Sequence, residues 1–279
     1  MTLALIAAIG YAGGLVIDKV VLSRYNVPVK RFIPLLFIWL AIITAFLLPN
    51  FGSVNWQELG NLHYLLLFFS MLAIAITWNS FYYRGIQSEE VHEFELIMLL
   101  SPFVTVILSE IFLPDERDLG VFVAGMIASL ALIVSRFRHN HLQLSRNSGI
   151  IFTAMFLMSA ESILIKMLLD VFSPAALYFA RTSIMAIVFL IFWRPKLLLM
   201  PAKCFGSVIV AAVFGVVLMV LKFYGFAKLG VIETTIILVL GPLLVYFFSA
   251  FYFKENLKKR DIIAALIVIA SVLYVTLFR

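Results

Sequence analysis

The sequence predicts an all-α polytopic membrane protein with ten transmembrane helices, arranged as two inverted five-helix repeats. Three observations support this prediction: an apolar composition, ten apolar segments long enough to cross a bilayer, and residues that recur at a fixed offset. The 279 residues are 64% hydrophobic and 13% charged, with a mean hydropathy of +1.10. Ordinary soluble domains carry about 25% charged residues. The composition therefore excludes a water-soluble globule.

The apolar segments leave little of the chain for loops. A hydrocarbon core about 30 Å thick requires roughly 17–25 apolar residues per helix. The predicted domains are a first five-helix repeat at 1–138, a linker at 139–147 and a second repeat at 148–279, with no soluble catalytic domain. The single cysteine, Cys204, excludes an internal disulfide. The ten predicted spans are 2–22, 32–49, 62–84, 90–113, 119–135, 148–169, 175–193, 204–227, 231–253 and 261–278.

Residues of the second half repeat those of the first half 140 positions earlier. Because each repeat has an odd number of spans, the second repeat must enter the membrane from the opposite side. The halves are then related by a pseudo-two-fold axis in the membrane plane, which is the build of many secondary transporters. The recurring pairs are Gly85 and Gly225, Val91 and Val231, Glu93 and Glu233, Pro102 and Pro242, and Ser109 and Ser249.

The basic residues predict the orientation, since short cytoplasmic loops retain Lys and Arg. Of the 21 basic residues, four lie within spans, three lie on the side of the N-terminus, and the remaining fourteen lie in loops on the other side. We therefore expect a multi-pass protein of the cytoplasmic (inner or plasma) membrane with both termini external. The formal charge of +6 belongs to the membrane surface and predicts no nucleic-acid partner.

Short motifs at equivalent places in the two halves resemble an EamA-like domain of the drug/metabolite transporter (DMT) superfamily. The resemblance covers nearly the whole chain and implies a transporter rather than an enzyme. It says little about the substrate, because members carry amino acids, drugs, nucleotide sugars and other metabolites. The second copy has Gly230-Val231-Ile232-Glu233-Thr234-Thr235, Gly241-Pro242 and Phe253-Lys254-Glu255-Asn256, and the first has Ser101-Pro102 through Phe112-Leu113-Pro114-Asp115-Glu116.

Charged side chains within the second-repeat spans are candidate substrate- or proton-binding groups. Each costs about 2.5–3.5 kcal/mol at a helix centre and usually faces a cavity or a partner. Glu161 lies about 12 Å from the end of its span at 1.5 Å per residue, too deep for a carboxylate to reach water. The alternative is an internal ion-pair network that holds the helices together. The candidates are Glu161, Lys166, Arg181, Lys222 and Glu233.

The first repeat has its own charged set toward the other side. We expect Asp18, Lys19, Glu93 and Glu95 to bind substrate or protons, although a purely structural role remains open for Glu93 and Glu95. The pattern Glu89-x-x-His92 is half of a di-metal helix-bundle motif. The chain has no second copy of it, so no metal and no cofactor are predicted.

The paired prolines predict hinges. Each lies near the middle of its span and frees the carbonyl four residues earlier, at Met98 for Pro102 and at Leu238 for Pro242. A bend that recurs in both repeats favours a mechanical role over a packing irregularity. Rocking about these bends is expected to exchange access to a central cavity.

The sequence thus predicts a secondary transporter that moves a small polar metabolite across the inner membrane by alternating access. An amino acid or another zwitterion suits the mixed charges, and export is the expected direction. A proton-coupled multidrug or cation efflux carrier remains an alternative, and a noncatalytic scaffold or a passive channel is less well supported. No His-Glu-x-x-His motif is present, so no enzyme is predicted. The expected partners are a small-molecule substrate, the lipid bilayer and a coupling proton, with the oligomeric state left open.

Overall fold

The computed structural model describes residues 2–88, 94, 97–136, 148–195, 202–241 and 259–278. Within these residues the chain is helical apart from turns and one isolated bridge, and a helix lies on each of the ten predicted spans. Single-turn helices occupy Leu48–Phe51 and Trp56–Leu59, and a π-helical turn, Val20–Arg24, continues the first helix. The main helices are α1 (Thr2–Lys19), α2 (Val29–Ala45), α3 (Leu62–Ser88), α4 (Ser101–Phe112), α5 (Leu119–Arg136), α6 (Ser148–Leu168), α7 (Pro174–Trp193), α8 (Ala202–Lys228), α9 (Val231–Leu238) and α10 (Lys259–Phe278).

Four of these helices, α3, α6, α7 and α8, are long and apolar enough to cross a membrane. The described parts of α4, α5 and α10 contain shorter apolar helices. Large apolar side chains point outward, and Phe46 and Phe192 are each 77% exposed. An apolar outer surface on helices that satisfy their own backbone hydrogen bonds suits lipid as the surrounding solvent. The described residues therefore show an all-helical membrane protein with four clear spans.

The loops after α2 and after α6 lie together at one end of the bundle. Asn55 donates its backbone N–H to the carbonyl of Val171 at 2.8 Å, and Val54 forms a bridge with Phe172. At the other end of α3, Gln87 donates to the carbonyl of Val27 at 3.1 Å. The loop after α1 and the loop after α2 thus lie at opposite ends of the bundle, as successive membrane crossings require.

The packing of the helices follows a two-fold pattern. Helix α1 packs on α8, and its counterpart α6 packs on α3. Helices α2, α4 and α5 pack on their own counterparts α7, α9 and α10. Exchange of each helix for the one five places along leaves these five pairings unchanged, as pseudo-two-fold symmetry between the halves requires.

Repeated contacts define the register of the two halves. Lys19 donates to the carbonyl of Ile86 at 2.6 Å, and Lys166 donates to the carbonyl of Phe226 at 2.9 Å. The two carbonyls are 140 positions apart, so Lys19 and Lys166 are equivalent. The Lys19 contact lies near the C-terminal end of α3. The Lys166 contact lies near the end of α6, which is beside the loop that precedes α3. Equivalent contacts at opposite ends show that the repeats are inverted.

Spans 4 and 9 are interrupted at equivalent positions. Leu99 and Leu100 form a turn before Pro102, which lies in the first turn of α4. Helix α9 ends at Leu238, and Val239, 140 positions after Leu99, forms the matching turn. Pro242 lies outside the described residues. The break occurs where the sequence predicts a freed carbonyl, while the hinge function remains a prediction.

Candidate functional site

A cavity of about 230 Å³ lies between the two halves. Helices α1 to α4 contribute to its wall from the first half, and α6 to α9 contribute from the second. The wall is largely apolar, and it includes the aromatic side chains of Trp78, Tyr82 and Tyr178. Three charged residues also line it. They are Asp18, Arg181 and Lys222.

Arg181 in the cavity wall forms a buried ion pair with Glu161. The guanidinium Nε of Arg181 lies 2.6 Å from Glu161 Oε1, and its Nη2 lies 3.3 Å from Oε2. Trp78 donates its indole N–H to the same Oε2 at 2.6 Å. Both charged side chains are only 2% exposed. Three helices, α3, α6 and α7, therefore meet at one carboxylate whose two oxygens both accept hydrogen bonds.

Lys222 extends into the cavity from α8. Its Nζ donates to Ser162 Oγ at 3.3 Å and lies 5.2 Å from the centre of the Phe226 ring. The hydroxyl of Ser162 donates in turn to the carbonyl of Met158. Within the described residues Lys222 forms no salt bridge. Its charge is thus held by a hydroxyl and an aromatic face rather than by a carboxylate.

Asp18 lines the cavity from α1 and is 9% exposed. Its Oδ1 forms no hydrogen bond with any described residue. The neighbouring Lys19 turns away from the cavity wall and donates to the carbonyl of Ile86. These two adjacent charges, both predicted as binding residues, therefore lie in different surroundings.

Glu116 is a buried carboxylate that the sequence alone did not single out. It is 7% exposed, and its Oε2 accepts the backbone N–H of Val231 at 2.6 Å, at the start of α9. Lys166 Nζ lies 3.4 Å from its Oε1. Gly230 has a φ of 90°, and a side chain there would meet the Glu116 carboxylate at 2.9 Å. The motif that contains Glu116 recurs in the second repeat and could have singled this residue out. Its burial was not expected, because Glu116 lies in the loop between two predicted spans.

The structure thus brings together some of the predicted site residues and separates others. Asp18, Arg181 and Lys222 line the cavity and Glu161 is paired with Arg181, whereas Lys19, Lys166 and Glu233 are not part of the wall. Glu233 is buried at the start of α9. Glu93 and Glu95 lie outside the described residues. In the part of the chain that the structure describes, no three His, Cys, Asp or Glu side chains are grouped to hold a metal ion.

The family model of the EamA-like transporter family matches residues 1–137 and 148–277. The chain belongs to the EamA-like transporter family. The resemblance predicted from the short motifs is therefore confirmed, and the two matched segments correspond to the two symmetric halves of the fold. Membership identifies this EamA-like protein as an integral membrane transporter of the drug/metabolite type.

Comparison with other proteins adds information about the fold. A solved structure described as "Crystal structure of protein" has a TM-score of 0.68 with 15% sequence identity, and the match covers 98% of this chain and 96% of that chain. At this identity the likeness supports the fold of the EamA-like protein and not its substrate. No curated protein matches the sequence significantly.

Proposed function

We propose that this EamA-like protein is a ten-helix secondary transporter that moves a small polar metabolite, such as an amino acid or another zwitterion, by alternating access. One observation carries the proposal: the charged cavity is built by helices of both repeats. A site shared between two inverted halves changes its exposure when one half rocks against the other. A cavity of about 230 Å³ suits a small metabolite, because sites for drug-sized ligands are about 300–1,000 Å³.

The distribution of basic residues supports the proposed orientation in the membrane. The loops opposite the N-terminus hold fourteen of the 21 basic residues, so these loops are cytoplasmic and both termini are external. In this orientation the protein lies in the inner membrane and exports its substrate. The Pro102 and Pro242 bends serve as hinges, and a proton bound by a cavity carboxylate is a candidate coupling ion.

Ligand screening followed by transport assays tests this function. Purified protein is heated in the presence of amino acids, nucleotides or organic cations, since a ligand that binds only the native state stabilises it by mass action. Each stabilising compound is then tested for counterflow in proteoliposomes. We expect uptake of labelled compound to saturate and to be accelerated by unlabelled compound inside.

Other outcomes would contradict the proposal. A flux that does not saturate and shows no trans-acceleration indicates a passive channel. Counterflow of organic cations alone supports the multidrug efflux alternative. Absence of both stabilisation and flux over the whole panel, from protein that stays monodisperse, favours a noncatalytic membrane scaffold.

A further inference from the structure

Of the three charged residues that line the cavity, Arg181 is already paired with the buried carboxylate of Glu161. The carboxylate of Glu161 accepts hydrogen bonds from Arg181 at both of its oxygens and from Trp78 at Oε2. Its charge is cancelled by Arg181, and both residues are 2% exposed. A ligand that displaced Glu161 from Arg181 would leave a buried charge unpaired, which is strongly unfavourable. The pair therefore acts as a neutral part of the wall.

We infer that Lys222, positioned by Ser162, is the residue that binds the substrate, and that its ligand is a carboxylate group. This inference rests on the proposed transport function and deepens it. Within the described residues Lys222 forms no salt bridge, although it reaches the cavity from a membrane helix. An ammonium group has three N–H donors, and Ser162 accepts one of them. Two donors remain for a ligand.

Ser162 holds the ammonium group without competing for the ligand. Because its hydroxyl proton is donated to Met158, the oxygen presents its lone pairs to Lys222. The ring of Phe226 lies on the same ammonium group at 5.2 Å, close enough for a cation–π attraction. These contacts orient Lys222 but leave its full positive charge uncancelled, so the site favours an anion.

Asp18 is too far away to receive a cationic group of the same small substrate. A side chain at Gly10 would meet the backbone of Leu218, and one at Gly13 would meet Phe214, so α1 and α8 run antiparallel. From this contact, Asp18 lies toward one end of the bundle and Lys222 lies toward the other. Their separation along the helices is about twelve residues, or roughly 18 Å. The two charged groups of an α-amino acid are joined through one carbon atom and cannot reach both side chains.

The geometry also favours a carboxylate over a phosphate group. Phosphate recognition commonly uses the planar fork of an arginine, but the Nε–Nη2 edge of Arg181 is already bound to Glu161. A single unpaired lysine balances one negative charge and not two. The rest of the wall is largely apolar, with Tyr178 and Trp78 among its aromatic residues. The expected ligand is a monocarboxylate with an apolar or aromatic body, and an amino acid would be held by its carboxylate.

Three compounds of similar shape and different charge show whether the site prefers an anion, a neutral group or a cation. They are 3-phenylpropanoate, 3-phenylpropanamide and 3-phenylpropylamine, tested by thermal shift and by quenching of tryptophan fluorescence with purified full-length protein. We expect the carboxylate to bind at least tenfold more tightly than the amide and the amine. In the Lys222→Gln variant this preference should disappear. Lys228→Gln removes the same charge from an exposed position on the same helix and should leave the preference intact.

The unmodified protein alone can overturn the inference, so the test does not depend on the folding of a variant. Equal or tighter binding of the amine would contradict it, and so would normal carboxylate binding by Lys222→Gln. Failure of the transport function is a separate result: carboxylate binding without counterflow supports the site and contradicts the transporter. Counterflow of a cation without carboxylate binding supports the transporter and contradicts the carboxylate site.

Discussion

Buried charge is the feature that most distinguishes single residues in this protein. Glu161 and Arg181 are both 2% exposed and are joined at 2.6 Å. Two paired charges in a poorly solvated site add little net stability, but one of them left alone is strongly unfavourable. Their value therefore depends on each other, and on the Trp78 N–H that completes the cluster.

We predict that Glu161→Gln and Arg181→Gln each destabilise the protein by about 3–5 kcal/mol, because each leaves an unpaired charge or a broken pair in the interior. The double variant should be more stable than the sum of the two effects implies. Denaturation monitored by tryptophan fluorescence in a double-mutant cycle measures this coupling. Both single variants should also transport poorly.

Glu58 provides the control for this cycle, because its side chain is exposed on the single-turn helix Trp56–Leu59. Glu58→Gln should leave stability within about 0.5 kcal/mol of the original. Additive effects of Glu161→Gln and Arg181→Gln would show that the two side chains do not interact in the membrane-embedded protein, and the assignment of a neutral wall would fail.

Charge within an apolar span was enough to single out Glu161, Arg181 and Lys222 as candidate site residues. The sequence did not reveal which of these residues pair, because pairing depends on how α3, α6, α7 and α8 are packed. It also gave no reason to associate Trp78 with Glu161, since an aromatic residue in a membrane helix is usually a packing or interfacial residue. Partners remote in sequence require the fold.

At the scale of elements, α1 approaches α8 closely because Gly10 has no side chain. A Cβ at Gly10 would lie 3.1 Å from the carbonyl oxygen of Phe214 and 3.2 Å from the backbone N of Leu218. Backbone atoms of a packed helix cannot move aside as a flexible side chain can. Close approach through small residues is a common means of joining membrane helices.

We predict that Gly10→Val separates α1 from α8 and lowers stability by about 1–3 kcal/mol, the usual range for overpacking. Gly149→Ala is the matched control, because a Cβ there would meet nothing within 4 Å. Thermal midpoints of the two purified variants provide the comparison. A Gly10→Val protein as stable as the original would mean that α1 does not pack on α8 through this residue.

A second prediction at this scale concerns the paired breaks at Leu99 and Val239. Ala in place of Pro102 or Pro242 restores one backbone hydrogen bond and should straighten the helix. Each change should bias the inward-open and outward-open forms, in opposite senses because the repeats are inverted. A bias of about 1.4 kcal/mol changes their ratio tenfold.

Accessibility labelling of single cysteines at each mouth, in a Cys204→Ser background, measures this ratio. Turnover should fall more than affinity. If both proline variants keep the original labelling and turnover, the breaks are packing features and the gate lies elsewhere.

The sequence predicted where helices occur better than where they end. Span 7 was predicted at 175–193 and α7 is Pro174–Trp193, whereas span 2 was predicted to reach residue 49 and α2 ends at Ala45. The reason is Pro49, which has no N–H to donate to the Ala45 carbonyl. Hydropathy identifies apolar length, but such local backbone effects decide the boundaries.

At the scale of the whole molecule, the predicted orientation rests on the excess of basic residues on one side. We predict that a reporter fused after Arg279 reports an external location and that one inserted in the loop 136–147 reports the cytoplasm. Paired reporters active only inside or only outside the cell provide the measurement. An internal C-terminus would overturn the orientation, although the inverted repeat would survive.

The Glu161–Arg181 pair also bears on how the chain enters the membrane. The two residues lie on consecutive helices that form one hairpin, 20 positions apart. At about 2.5–3.5 kcal/mol for each charge near a helix centre, separate insertion of α6 and α7 would face two barriers. If the hairpin closes while it leaves the insertion machinery, the charges enter lipid together as a neutral unit. Trp78 on α3, a helix made earlier, donates to the same carboxylate and gives the new hairpin a partner.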